Sequence, residues 1–299
     1  MKVLLCRPQY FDVPEFDPQN KHMNPNSRPD LALALKQHDE LVQVYHQLGL
    51  DVYLIRPVHK LVDMTFTANL GFVCGNKILL SNFIPQRRRD ESEYFASFLK
   101  KLGYIVYTLP QGIFFEGAGD AIPFGDKILC GYGFRTSPAA LAYLEYIMEK
   151  EVVPLQLKYP GNGKRIFYHL DTAGIFMEDI QTAIVYPGAL TKEALRRLEK
   201  VANIIPASYE DANNLALNAV VIPKTEIWGQ FDKVTNDKAG TALMALGLWP
   251  ELKGVVVTSG LASDALKRKI ERCKYLPVTV ELTEFLKSGG GAFCLTKIL

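Results

Sequence analysis

Cysteine is scarce in this chain, and nothing arranges it into a framework. The five residues, Cys6, Cys74, Cys130, Cys273 and Cys294, are odd in number and widely scattered. No C-x-x-C pair and no nearby histidines accompany them, so neither a disulfide scaffold nor a zinc tetrahedron is written, and the pattern fits a reducing compartment. No apolar run approaches the roughly 18 residues that a membrane helix needs. Met1 to Cys6 superficially resembles a lipoprotein processing site, but no apolar segment precedes the cysteine. Excess charge is also missing: the formal net charge is +2, which argues against a basic field that holds nucleic acid. The one basic run, Arg87-Arg88-Arg89, is followed at once by Asp90, Glu91 and Glu93. The Gly117-Ala118-Gly119 run lacks the lysine of a phosphate loop, and there is no G-x-S-x-G elbow of a serine hydrolase. Low-complexity tracts and linkers are absent, so residues 1–299 are expected to form a single soluble, cytoplasmic domain.

What is present is ample core material and a recurring phrase. At 299 residues and 48% hydrophobic, the length alone allows two domains, or one large α/β domain or barrel. Val3 to Cys6 reads as a buried first strand, followed by a proline-rich irregular loop from Gln9 to Asp30, a length at which loops are often functional. Asp30 then caps a helix that runs at 3.6-residue spacing to Gly49, and Val52 to Ile55 is a strand. The same phrase returns: helix Asp90–Leu102 before strand Tyr104–Tyr107, Ser137–Lys150 before Val152–Leu157, and Thr191–Ala202 before Asn203–Ile205. Asn236–Leu246 reads as a further helix, and Ala262–Cys273 as one ahead of a strand beginning near Pro277. The helices recur at roughly fifty to sixty residues, the spacing of an internally repeated α/β architecture. Between them lie strand-like segments, Phe66–Val73, Phe114–Asp120, Gly131–Thr136 and Phe167–Asp171, which hold most of the unusual residues.

Those residues have chemical and bland readings. Cys294 follows Gly289-Gly290-Gly291, a backbone without Cβ crowding that lets a nucleophile meet a flat substrate, or it is a small buried hydrophobe. In an extended strand His169 and Asp171 project from the same side, as a proton shuttle beside a cation binder, or as a core histidine with a solvated acid. Glu116, in an apolar glycine-rich run, is costly to bury without a cation, and Gly117 beside it admits a ligand or another backbone. Asp120 reads as a turn or N-cap residue. Arg135 is a bidentate fork for a substrate carboxylate or a surface arginine in a salt bridge.

Taken together, Phe-Glu-Gly-x-Gly-Asp, Gly-x-Gly-x-Arg-Thr, His-Leu-Asp and the C-terminal Gly-Gly-Gly-x-x-Cys-Leu-Thr resemble the guanidino-group-modifying, or pentein, superfamily over nearly the whole chain. Its members include arginine deiminase, dimethylarginine dimethylaminohydrolase, the dihydrolases and the amidinotransferases. The resemblance implies a five-bladed α/β propeller of ββαβ-like modules. It implies Cys294 as nucleophile, His169 as general acid and base, and Glu116 and Asp171 as holders of the guanidinium. It further implies Arg135, and Arg88 ahead of Glu91, on the amino-acid carboxylate, with Asn24 or Asn26 of the early loop and Gly117 against the substrate. No metal and no cofactor are implied; the partner is a small guanidino substrate, with no nucleic acid and no membrane, and oligomeric state stays open.

One position departs from the commoner pattern. Where deiminases and dimethylargininases usually carry an acid, this chain has Asn69 in Phe-Thr-Ala-Asn. An amide donates as well as accepts and so holds a neutral urea, whereas an acid selects cations; the alternative is that Asn69 only caps a turn. Thr-Ala-Asn resembles the dihydrolase branch, in which the ureido intermediate is attacked again. The expectation is therefore arginine dihydrolase, giving ornithine, two ammonia and carbon dioxide. Dimethylarginine hydrolase, arginine deiminase, an amidinotransferase and a non-catalytic binder are the alternatives.

Overall fold

The computed structural model describes residues 1–17, 20–162, 164, 166–227 and 251–299. Its first sheet holds β1 (Lys2–Cys6), which pairs in parallel with β2 (Asp51–Ile55) through the crossover helix α1 (Leu31–Gln47). The helix starts where Asp30 accepts from Leu33 N at 3.1 Å and stops at Gly49, whose φ of 76° suits a residue without Cβ. A second module consists of β3 (Gly71–Cys74), β4 (Lys77–Leu80), α2 (Glu91–Lys101) and β5 (Ile105–Tyr107). A third follows as β6 (Ala121–Phe124), β7 (Lys127–Tyr132), α3 (Pro138–Met148) and β8 (Glu151–Gln156). The fourth is β9 (Gly174–Met177), β10 (Thr182–Val185), α4 (Lys192–Glu199) and β11 (Asn203–Pro206). After the short α5 (Tyr209–Asn213), the fifth comprises β12 (Val220–Pro223), β13 (Gly254–Ser259), α6 (Asp264–Arg272) and β14 (Tyr275–Val280). Finally α7 (Thr283–Leu286) leads to β15 (Lys297–Ile298), which pairs antiparallel with β1 and completes the first sheet.

Every module therefore has one plan: a three-stranded sheet whose middle strand is antiparallel to one neighbour and parallel to the other. The middle strands are nearly continuous apolar runs because both of their faces are buried. Alternate residues feed different cores: Leu4 and Cys6 pack toward the β3–β5 sheet, Val3 and Leu5 toward the β12–β14 sheet. Val256 likewise faces one neighbour while Val255 and Val257 face the other. Five apolar clusters fill the five interfaces between successive sheets, and the last joins the β12–β14 sheet back to β1. The result is a closed ring of five modules, sealed by the two chain ends. Each fully buried Leu, Val or Phe adds about 1.5–3 kcal/mol, and the β1–β15 pairing adds backbone hydrogen bonds to the closure.

The expected helices and strands are present, with the last strand beginning at Tyr275, two residues ahead of Pro277. The expected helix Asn236–Leu246 lies outside the described residues. The segments expected to be strand-like are different: Thr67–Leu70, Gly117–Gly119 and Leu170–Thr172 are 3-10 turns ahead of β3, β6 and β9. These turns and the residues that lead into them bring Asn69, Glu116 and His169 to one cleft. Among the described residues no helix is long and apolar enough to cross a membrane.

Candidate active site

The turns that enter the modules meet at the axis and are locked to one another. Thr67 Oγ1 donates to the carbonyls of both Leu4 and Leu295, and Ala68 N donates to Cys294 O at 3.1 Å. Gly117, with φ of 59°, lies so close to the first turn that a Cβ would come within 2.6 Å of Gly71 N. A Cβ at Gly119 would stand 2.4 Å from Asn69 Nδ2 and 3.0 Å from His169 Nδ1. These glycines are what lets Asn69 and His169 converge. Asp120 accepts from Thr136 Oγ1 at 2.6 Å and Leu170 N at 3.1 Å, and so fixes the backbone that carries His169.

The cleft encloses about 30 Å³ and is lined by Asn69, Arg88, Glu116, Arg135, His169 and Cys294 of the expected set. His169 Nε2 and Glu116 Oε2 are 2.9 Å apart, and Arg135 Nη1 lies 3.5 Å from Glu116 Oε1. Burial alone would raise the Glu116 carboxyl, but Arg135 and His169 outweigh it and hold the group at about 2. Arg135 is buried and not at the surface, and its other terminal nitrogen grips Asp17 Oδ2 at 2.6 Å. Arg88 spends its Nε and Nη2 on Glu91, at 2.9–3.3 Å, and presents Nη1 to Asn69 Oδ1 at 3.3 Å.

Behind the nucleophile candidate the electrostatics reverse. Cys294 Sγ lies 3.4 Å from Asp171 Oδ2. Burial raises the Asp171 carboxyl to about 8, although the contact with Cys294 lowers it. Burial and then Asp171 push the Cys294 thiol well above its usual range. Three buried polar atoms here have no hydrogen-bond partner: Asn69 Nδ2, Arg135 Nε and Asp171 Oδ1. Unpaired buried donors and acceptors cost about 1–3 kcal/mol each. Among the described residues no group of three His, Cys, Asp or Glu is placed to hold a metal.

Several expectations need correction. His169 and Asp171 do not share one side of a strand; His169 is the last extended residue, with φ of −127°, and Asp171 sits in the following turn. His169 consequently faces Glu116, and Asp171 stands behind Cys294. Asn24 is exposed and its Oδ1 accepts from Asn26 N, an Asx turn away from the cleft; Asn26 is exposed too. Asn20 takes that place, buried and donating to Ser288 O at 2.8 Å and Tyr168 OH at 3.2 Å. Gly117 admits another backbone and does not line the cleft. The glycine run does permit close approach, but protein fills it: Cβ atoms at Gly289, Gly290 and Gly291 would meet Asn20, Phe66 and Asn218. Asp120 is not an N-cap; it closes the Gly117–Gly119 turn, its N–H donating to Gly117 O at 3.2 Å, and its side chain is a buried clamp. Sequence reasoning also missed Arg87, which bonds Asp63 at 2.6 Å, and Asn218, which accepts from the amides of Gly291 and Cys294 at 2.9 and 3.0 Å.

Five ββαβ modules closed around an axial cleft are the pentein fold of guanidino-group-modifying proteins. The chain belongs to the N,N dimethylarginine dimethylhydrolase family, eukaryotic, whose model matches residues 7–233. It is similar to the N(G),N(G)-dimethylarginine dimethylaminohydrolase of Mycobacterium tuberculosis, 31% identical over 278 residues, 93% of this chain and 79% of that one. It is also similar to the bifunctional arginine dihydrolase/ornithine cyclodeaminase AgrE of Nostoc sp., 31% identical over 305 residues and 99% of this chain. The chain spans 37% of the length of AgrE and of the ArgZ homologue of Synechocystis sp.. Among solved structures, the N-terminal domain of ArgZ, described as an arginine dihydrolase bound to substrate, superposes with a TM-score of 0.79 at 30% identity, covering 99% of this chain and 96% of that domain.

Proposed function

We propose that this chain is a cysteine hydrolase of the guanidino group, working as an arginine dihydrolase that converts arginine to ornithine, two ammonia and carbon dioxide. The observation that carries the reading is the unpaired, buried Nδ2 of Asn69, beside His169 and in the same cleft as Cys294. A donor at that point suits the oxygen of a urea, which an acid would repel. The resemblance to the ArgZ domain and to AgrE supports it.

In this mechanism a guanidinium binds between Asp171 and Glu116, and its positive charge draws the Cys294 thiol and the Asp171 carboxyl down toward their ionised forms. The thiolate attacks the central carbon. His169, held by Glu116, gives its proton to a departing nitrogen, and ammonia leaves a covalent thiouronium. His169 then takes a proton from water, the oxygen adds, and Cys294 departs from a ureido product. Asn69 keeps that product by donating to its oxygen. A second attack by Cys294 expels the second ammonia as a thiocarbamate forms, and a second water releases a carbamic acid that loses carbon dioxide to leave the free amine. Arg135 anchors the substrate carboxylate; the Asp17 carboxylate on the same fork has the matching chemistry. Arg88 serves chiefly to orient Asn69. The roles fit one catalytic unit over residues 1–299, and five free cysteines fit a cytoplasmic setting.

The test is to incubate the protein with arginine and with asymmetric dimethylarginine and to quantify ammonia, methylamines, citrulline and ornithine. Two ammonia per ornithine is expected from arginine. Citrulline with one ammonia makes it a deiminase, and citrulline with dimethylamine a dimethylargininase. Asn69→Asp should stop the reaction at citrulline; an unchanged product ratio removes Asn69 from the explanation.

A further inference from the structure

The modules place their axial residues at repeating positions. Glu116 and His169 both stand five residues ahead of the first strands of their modules, at Ala121 and Gly174. Asp171 and Cys294 both stand three ahead, of Gly174 and Lys297. Asn69 and Asn218 both stand two ahead, of Gly71 and Val220. The β12–β14 module thus contributes Asn218 at the position from which the β3–β5 module contributes Asn69, yet the mechanism above gives Asn218 nothing to do.

Asn218 is completely buried and uses its whole side chain. Its Oδ1 accepts from Gly291 N at 2.9 Å and Cys294 N at 3.0 Å, and its Nδ2 donates to Asp171 O at 3.3 Å. Its own carbonyl takes Phe293 N at 3.2 Å. One residue therefore ties together the turn that presents the nucleophile and the turn that carries the acid 3.4 Å from its sulfur. The Cys294 amide, which in acyl transfer would serve an oxyanion, is committed to Asn218. Attack on a guanidinium develops no oxyanion, and in the second attack, on the ureido product, the proposed donor to the oxygen is Asn69, so the committed Cys294 amide serves to fix the sulfur.

We propose that Asn218 is a positioning residue that sets the Cys294–Asp171 geometry and keeps the thiol ionisable. The charged groups lining the cleft are Glu116, His169, Arg88, Arg135 and the Arg87–Asp63 pair, with Asp171 behind Cys294. Of the groups acting on the thiol, Asp171 opposes ionisation, whereas the Gly291 amide and Asn218 favour it. Loss of Asn218 removes a favourable contribution and lets Asp171 drift against the sulfur.

The inference rests on Cys294 being the nucleophile, and the alkylation arm of its test does not require the substrate to be known. Asn218→Ala and Asn218→Asp are made; the aspartate keeps an oxygen for both amides and so keeps the turn, but removes the donor to Asp171 and adds a negative charge. Cys294 alkylation by iodoacetamide is followed from pH 6 to 10 by peptide mass spectrometry, with the other four cysteines as controls, and the midpoint is the pH at which a fixed incubation alkylates half of that cysteine. In both variants the midpoint for Cys294 alone should rise by about one pH unit or more, and kcat should fall about a hundredfold with KM within about threefold. A folded Asn218→Asp variant with the wild-type midpoint and wild-type kcat overturns the inference. So does a lowered Tm with both unchanged, which makes Asn218 a packing residue. If the midpoint moves while the wild-type chain turns over neither arginine nor dimethylarginine, the proposed function fails and the positioning role stands.

Discussion

The two sides of the cleft differ in kind. On one side Glu116 is buried but ionised, held at about 2 by Arg135 and His169. On the other, Asp171 is equally buried but is raised to about 8, and its neighbour Cys294 is raised as well. Two carboxylates from successive modules thus carry opposite protonation preferences, because one has an arginine partner and the other only a thiol and an amide. Divergent environments of this type sort groups into roles. In the proposed mechanism the Glu116 side is a permanent charge that orients a proton carrier, and the Cys294 side waits for a cation to ionise it.

That contrast can be broken at four points. The largest effect is expected from Cys294→Ala, which should lower turnover by at least about ten-thousandfold while leaving substrate binding by calorimetry largely intact; retained turnover would remove Cys294 as nucleophile. Glu116→Gln should lower kcat about a hundredfold to a thousandfold. It should also destabilise the protein by about 3 kcal/mol, since Arg135 loses a buried partner. Because the folded pKa of Glu116 is depressed, its contribution is present above the ordinary carboxylate range and is lost as pH falls toward 2. The deficit of the variant in urea unfolding should therefore shrink on acidification.

Asp171→Asn should lower kcat about a hundredfold but move stability the other way. A carboxyl raised to about 8 in the folded state holds its proton where the unfolded chain has lost it, so wild-type stability falls as pH rises from about 4 to 8. The asparagine removes that loss, and the variant should exceed the wild type by on the order of 2 kcal/mol at pH 8 and by little at pH 4. Stability curves of Glu116→Gln and Asp171→Asn that run in parallel would erase the distinction between the two sides. The smallest effect, less than about twofold in kcat/KM, is expected for Asn24→Ala, an exposed turn residue; a large loss would return Asn24 to the substrate.

The fold was legible because its signals are local. Asp30 and Gly49 bracket α1, and Gly103 ends the helix before β5, by capping rules that need no partner. The modular spacing followed from the repetition of that phrase. The site was legible by residue type and motif for Cys294, His169, Glu116, Asp171, Asn69 and Arg135, which the fold gathers around one axis. It was illegible where register decided. Asn20 and Asn24 are chemically identical and four residues apart in a loop without periodicity, and only packing against Tyr168 and Ser288 selects the first. Asn218 carries no motif, and its position ahead of β12 gains meaning only beside Asn69 ahead of β3.

The sequence by itself determined a repeated helix-and-strand phrase and the inventory of reactive groups, since these depend on propensity, capping and composition; the count of five modules and the meaning of an amide at Asn69 came with the family resemblance. Tertiary structure alone decided which carboxylate is ionised, which asparagine reaches the cleft and what fills the space beside the three glycines. Those outcomes depend on desolvation and on distances of 2.6 to 3.5 Å between residues up to 268 positions apart in the chain, and no local pattern encodes such distances.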